Sequence, residues 1–167
     1  IIRGFWLVFP YICKYLNKEL KFTNIHTHQN LFEDDVTTII NLFPDKEPLT
    51  GFPGSNFFSI GLHPWYIRPE SFLQDIGKVE KLAVMPQCLA IGETGLDRNI
   101  TVPLDLQKDV FRTHLEIANE VSKPVIIHCV RAFQEILQVQ KPFAGKMKLI
   151  FHGFNNSRQI ANDLLNK

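Results

Sequence analysis

An α/β fold with a parallel, helix-covered sheet is predicted for the 167-residue chain by two observations. Five short apolar runs each end in a histidine or glutamate: Asn24-Ile25-His26-Thr27-His28, Ser59-Ile60-Gly61-Leu62-His63, Ala90-Ile91-Gly92-Glu93, Val125-Ile126-Ile127-His128 and Leu149-Ile150-Phe151-His152. Amphipathic stretches separate them, and from His28 onward the terminal residues recur after 35, 30, 35 and 24 positions, about one per βα unit. In a TIM-type (β/α)8 barrel the carboxyl ends of successive strands converge on one rim, which would gather these side chains into one site. A whole barrel of this kind usually needs about 250 residues. The expectation is therefore a barrel of which the first five βα units are present, at residues 21–167, lacking its last βα units.

Each element follows from local pattern. Lys21 to His26 reads as the first strand, and Glu33 to Phe43 as a short helix with acids at its amino end, where the helix dipole favours them. Pro44, Pro48, Gly51, Pro53 and Gly54 mark a loop. Phe57 to Leu62 is the second strand, and Pro69-Glu70-Ser71 opens a helix with apolar positions Phe72, Ile76, Val79 and Leu82. Cys88 to Gly92 is the third strand, followed by a loop containing Gly95, Asp97 and Asn99. The next helix carries Leu106, Val110, Phe111, Leu115, Ala118 and Val121 and stops at Lys123-Pro124. Pro124 to Cys129 is the fourth strand, Ala132 to Val139 a short helix, Met147 to Phe151 the fifth strand, and Ser157 to Leu165 starts a further helix.

With 45% hydrophobic residues the chain can bury one sizeable core. Net charge is only +1, so no broad basic field drives sequence-independent nucleic-acid binding, and any such substrate has to be argued from a site. Cys13, Cys88 and Cys129 are odd in number and lack a CxxC spacing, which favours buried thiols in a reducing, cytoplasmic compartment. The apolar run from Gly4 to Cys13 is shorter than the roughly 20 residues a membrane span needs. It also lacks the small residues of a signal-peptide cleavage site. Residues 1–20 are read as an appended segment ahead of the first strand, with no membrane association and a monomeric chain expected.

His26 and His28 stand two apart, so on a regular strand both side chains project to one face and can share a divalent cation. Glu93 ends a buried strand, where a carboxylate is costly unless paired or metal-bound. His128 or His152 alone would read as a hydrogen-bonded core histidine; two at consecutive strand ends point to ligation. The metal set is thus His26, His28, Glu93, His128 and His152, with Glu93 also the catalytic group, holding one or two divalent cations. Zn, Mn, Ni or Fe suit mixed His and carboxylate ligands more naturally than Mg. His63, followed by Pro64 and Trp65, is assigned to substrate binding, as is Arg131, placed to meet a phosphate. His114, inside a helix, is read as a surface or packing residue, and Asp97 as an anchor of the loop after Glu93.

These motifs resemble the TatD family of metal-dependent hydrolases, within the amidohydrolase-like barrels. The likeness runs from Phe22 to the chain end through Asn24 to His28, Gly61-Leu62-His63-Pro64-Trp65, Ala90 to Asp97, Pro124 to Cys129 and Phe151-His152-Gly153-Phe154. It implies up to two cations, with His26 and His28 on one, His128 and His152 on the other, and Glu93 between them. It also implies phosphodiester hydrolysis of the deoxyribonuclease type, on a phosphoester or nucleic-acid substrate. Two departures stand out: Asn24 where many members carry Asp, and a late-strand Asp that falls beyond Lys167 and that Asp163, on the final helix, does not replace.

Two other functions compete. Amidohydrolase or lactonase chemistry would use the same barrel and a carbonyl substrate, but related families often carry a bridging Lys on the fourth strand, where this chain has Ile126, Ile127 and His128. A truncated, non-catalytic fragment would bind metal weakly and leave exposed strand edges.

Overall fold

The computed structural model describes residues 22–28, 36–44, 57–155 and 157–165. Six strands form one sheet in chain order, every neighbouring pair parallel. They are β1 (Phe22–Thr27), β2 (Val36–Leu42), β3 (Phe57–Ile60), β4 (Cys88–Asp97), β5 (Val125–Val130) and β6 (Leu149–Phe151). Helices α1 (Phe72–Ala83), α2 (Leu104–Glu120) and α3 (Phe133–Gln140) connect β3 to β4, β4 to β5 and β5 to β6, and α4 (Arg158–Leu165) follows β6. Sequential parallel strands with helical crossovers trace an arc of a barrel, whose edges among the described residues are β1 and β6. The expected appended segment, residues 1–20, lies outside the described residues.

Two expectations are corrected. The segment read as a helix before Pro44 contains β2, giving six strands instead of five. Val36, Thr37, Thr38, Ile39 and Ile40 are all β-branched, and such side chains lose χ1 freedom in a helix but pack well on a pleated surface. Ile39, Ile40 and Asn41 are consecutive and all buried, as a strand covered on both faces requires. Second, β4 does not stop at Gly92; it runs to Asp97 and every residue of it is buried. Gly95 reads as a loop signal because glycine punctuates turns, yet here Gly92 and Gly95 permit close approach to β5. Their φ values are +124° and +144°, and a Cβ on either would lie 2.4 Å from the Ile126 carbonyl oxygen or 2.0 Å from that of His128.

The core sits between the sheet and α1 to α3, with Ile60, Val79, Phe111, Leu115, Ile127 and Ile136 without measurable exposure. Its helical contributors follow the predicted 3.6-residue period: Ile76, Val79 and Leu82 on α1, then Val110, Phe111, Leu115 and Ala118 on α2. Cys88 is buried and Cys129 half-buried, and burial pushes both thiols up to about 11, which suits inert packing residues.

His114, on α2, is fully enclosed. One ring nitrogen, Nδ1, lies 2.8 Å from the Val110 carbonyl, and the other, Nε2, accepts the Leu62 backbone N–H at 2.9 Å. An acceptor on one side and a carbonyl on the other require the neutral ring protonated at Nδ1. Burial lowers its pKa to about 4. The unfolded chain, titrating near 6.5, binds the proton first as pH falls, so this contribution is complete above pH 6.5 and lost toward pH 4. Between pH 7 and pH 5 the loss is expected to be about 2 kcal/mol. Urea unfolding at the two pH values should show that much less pH dependence in His114→Gln, which cannot titrate, than in the wild type.

Candidate metal centre

The ends of β3, β4 and β5 converge on one buried cluster. After β3 the chain continues through Gly61 and Leu62 to His63, where Pro64 opens a single 3-10 turn, Pro64–Tyr66. His63 Nδ1 accepts the Trp65 backbone N–H at 3.2 Å, which leaves Nε2 facing Glu93 Oε1 at 3.9 Å. Glu93 is 3% exposed, and its backbone N–H donates to Asn41 Oδ1 at 2.6 Å. The same Asn41 oxygen accepts the Ser59 hydroxyl at 3.0 Å, so the ends of β2, β3 and β4 are tied by one side chain. From β5, His128 places Nδ1 3.1 Å from Glu93 Oε1 and Nε2 3.0 Å from Asp97 Oδ2. Asp97 accepts two further bonds, from Trp65 Nε1–H at 2.7 Å and from the Asn99 backbone N–H at 2.8 Å.

Electrostatics divides the two imidazoles. Burial, reinforced by the neighbouring His128, lowers His63 to about 4, so at neutral pH its ring is uncharged. Burial also pushes His128 down, but hydrogen bonds to Glu93 and Asp97, with their charges, outweigh it and hold His128 above the ordinary imidazole range. Burial raises Asp97, yet the bonds from Trp65, Asn99 and His128 keep it below the usual carboxylate range. A neutral imidazole, a second imidazole and a buried carboxylate form a donor set suited to a divalent cation. Among the described residues, His63, Glu93 and His128 are the group whose ligand atoms all lie within 4.8 Å of one another. Ligands held about 2.0 to 2.2 Å from one ion stand roughly 3 to 4 Å apart, and the separations of 3.1 Å and 3.9 Å fall in that interval. The residues present therefore fit the metal.

The other residues singled out from the sequence are distributed around this cluster. His28, just beyond β1, is exposed, its ring stacked on Phe43 at 5.4 Å, and it lies close enough to depress the His63 pKa further. The side chain of His26 lies outside the described residues. His152 follows β6, is exposed, and its backbone N–H bonds the Ile127 carbonyl at 3.0 Å; its side chain is not within the three-residue group. Arg131 is exposed with φ of 53° and, with Arg98, Phe133, Gln134, Glu135 and Ile160, lines an open depression of about 340 Å³. His63, assigned from the sequence to substrate, stands among the ligand atoms. Asp97, assigned to a loop, is a strand residue on His128. Period-two alternation would have revealed it, because residues 93, 95 and 97 share a face once β4 is extended.

Residues 46–167 match the model of the family described as TatD related DNase. This chain belongs to that family. A TatD homologue of Escherichia coli, YJJV, superposes with a TM-score of 0.64 at 20% identity, over 78% of this chain and 53% of its own, which shows the shared barrel fold. An uncharacterized metal-dependent hydrolase of Buchnera aphidicola is 29% identical over 164 residues, covering 90% of this chain and 62% of that protein. The 3'-5' ssDNA/RNA exonuclease TatD of Erwinia tasmaniensis is 36% identical over 101 residues, 59% of this chain and 38% of the exonuclease. A human 3'-5' RNA nuclease, TATDN2, is 33% identical over 110 residues, 64% of this chain and 14% of the nuclease. The TatD chain described here thus spans only part of the length of these relatives.

Within the cluster, Asp97 joins Glu93 in raising the His128 pKa without belonging to the ligand group. Asp97→Asn should lower the His128 pKa, because burial then faces one carboxylate instead of two. An NMR titration of the histidine ring protons in metal-free protein measures this, and an unchanged His128 midpoint would refute the assignment.

Proposed function

We propose that this chain carries the metal centre of a hydrolase that cleaves phosphodiester bonds in nucleic acid. The observation that carries the reading is Glu93, buried on β4 with Oε1 facing both His63 and His128, in a chain of the TatD family. The relatives named as 3'-5' exonucleases and nucleases support the nucleic-acid class, and those named as metal-dependent hydrolases support the cofactor. His63, Glu93 and His128 hold one divalent cation. His26, His28 and His152 are assigned as the remaining ligands of the one or two ions in the loaded protein. Arg131, at the depression that the Glu135-paired Arg98 also lines, meets the phosphate.

When bound, the cation supplies Lewis acidity toward the phosphoryl group and lowers the pKa of the attacking water. The protein's own groups do the rest. His63 stays neutral in the buried site, so no proton has to leave it at neutral pH to free a lone pair. His128 keeps one nitrogen on Asp97, which fixes the ring plane while the other faces Glu93, the arrangement by which an outer carboxylate orients a ligating histidine. Asn41 and Gln107 hold the backbone on either side, at Glu93 and Asp97. Two carboxylates facing the site would repel a phosphodiester, so the charge balance of the bare protein itself calls for a cation.

Glu93→Gln keeps the shape and removes the charge. Equilibrium dialysis with Zn or Mn, followed by elemental analysis, should show affinity lowered at least about 100-fold. Hydrolysis of an end-labelled single-stranded oligonucleotide should fall with it. Undiminished metal binding by the variant, or no metal-dependent hydrolysis by the wild type, would refute the proposal.

A further inference from the structure

We infer that Trp65 is a stacking platform for an unpaired nucleobase at the edge of the metal centre. The inference rests on the phosphodiester reading above and names how the substrate is held. Trp65 is 57% exposed, whereas the two imidazoles it borders are buried or nearly so. Its indole N–H, the ring's one polar atom, is bound to Asp97 at 2.7 Å, and its backbone N–H is bound to His63 at 3.2 Å. The side chain is thus anchored at both ends, and what faces solvent is apolar ring surface. The ring stands edge-on to His63 at 5.2 Å and to His128 at 6.0 Å, with interplanar angles of 85° and 74°. An aromatic plate fixed in orientation loses little entropy when a second ring is laid on it.

The surroundings select the class of ring. Arg131 lies three residues beyond His128 and lines the neighbouring depression together with Arg98, which follows Asp97 directly and is ion-paired with Glu135; the planar guanidinium of Arg131 suits a phosphate. A ring-stacking surface and a phosphate-binding surface flanking one cation site match a single nucleotide unit. In a duplex the bases are already stacked on one another, so the platform favours a single strand or a frayed end. Stacking accepts every base, because each presents a π face, so sequence preference should be weak.

The test is fluorescence anisotropy of the full chain with end-labelled single strands of equal length, one bearing bases and one abasic throughout, using Trp65→Leu and Trp65→Phe. Trp65→Leu is expected to weaken the base-bearing strand about 10-fold and to leave the abasic strand within about twofold. Trp65→Phe keeps a ring while losing the bond to Asp97, and should stay within about threefold of wild type on both strands. Equal losses for Phe and Leu would show that the residue acts through Asp97 and would overturn the inference, as would equal losses on both strands or no loss at all. Any of those results in a protein that still cleaves phosphodiesters overturns the platform alone; a wild type that neither binds nor cleaves either strand overturns the phosphodiester reading with it.

Discussion

One face of α2 carries two buried polar side chains seven residues apart, two helical turns, and each closes on the end of a different strand. Gln107 accepts the Asp97 backbone N–H at 2.8 Å and donates to the Asp97 and Val102 carbonyls at 3.1 Å and 2.8 Å. His114 accepts the Leu62 N–H, one residue before His63. Strand ends at a barrel rim leave backbone groups without sheet partners, and buried groups of that kind must be satisfied elsewhere. By supplying both sets of partners from one rigid helix, α2 fixes β3 and β4 relative to each other at the height where His63 and Asp97 emerge. Everything else in the cluster inherits its precision from that constraint.

The second determinant is how closely β4 approaches β5. A straight strand would separate residues 93 and 97 by about 13 Å, yet both carboxylates reach the two nitrogens of one His128 ring. The pairing of β4 with β5 is irregular between Ile91 and Thr94, within the stretch containing Gly92, and Gly95 lies directly opposite His128 in the register. Side chains at those two positions would collide with the β5 backbone. The glycines are therefore a packing requirement, and the bracket of carboxylates around His128 is its chemical consequence.

That requirement also explains what the sequence disclosed and what it hid. Alternation of apolar runs with amphipathic helices gave the barrel class, and the helical faces from Ile76 to Leu82 and from Val110 to Ala118 fell where the periodicity put them. Acids at the start of the 33–43 stretch suggested a helix, whereas the β-branched run behind them forms β2. Gly95, with Asp97 and Asn99, suggested a loop after Gly92 and so concealed the place of Asp97 on the strand, because local sequence does not distinguish a turn from a tight strand contact. Glu93 and His128 were legible from the apolar runs that precede them, although β4 and β5 continue past them to Asp97 and Val130. His63 was visible as a strand end, but its place among the ligand atoms depends on Asn41, His114 and the Pro64 turn, partners distant in sequence or silent in composition.

Charge connects this scaffold to its chemistry. Two buried carboxylates bracket one imidazole and raise its pKa, while burial drives the second imidazole neutral. Removing two anions from water is costly, and a single imidazole between them is an incomplete compensation. A polypeptide rarely maintains such an imbalance without a further cation. The overall charge of +1 cannot supply the attraction for a polyanionic strand either. Under the proposed function the attraction has to be local, from a bound cation and from Arg131 at the neighbouring depression. On this view the buried acids are the reason the site selects for metal, and the metal in turn is what makes an acidic pocket compatible with a phosphodiester.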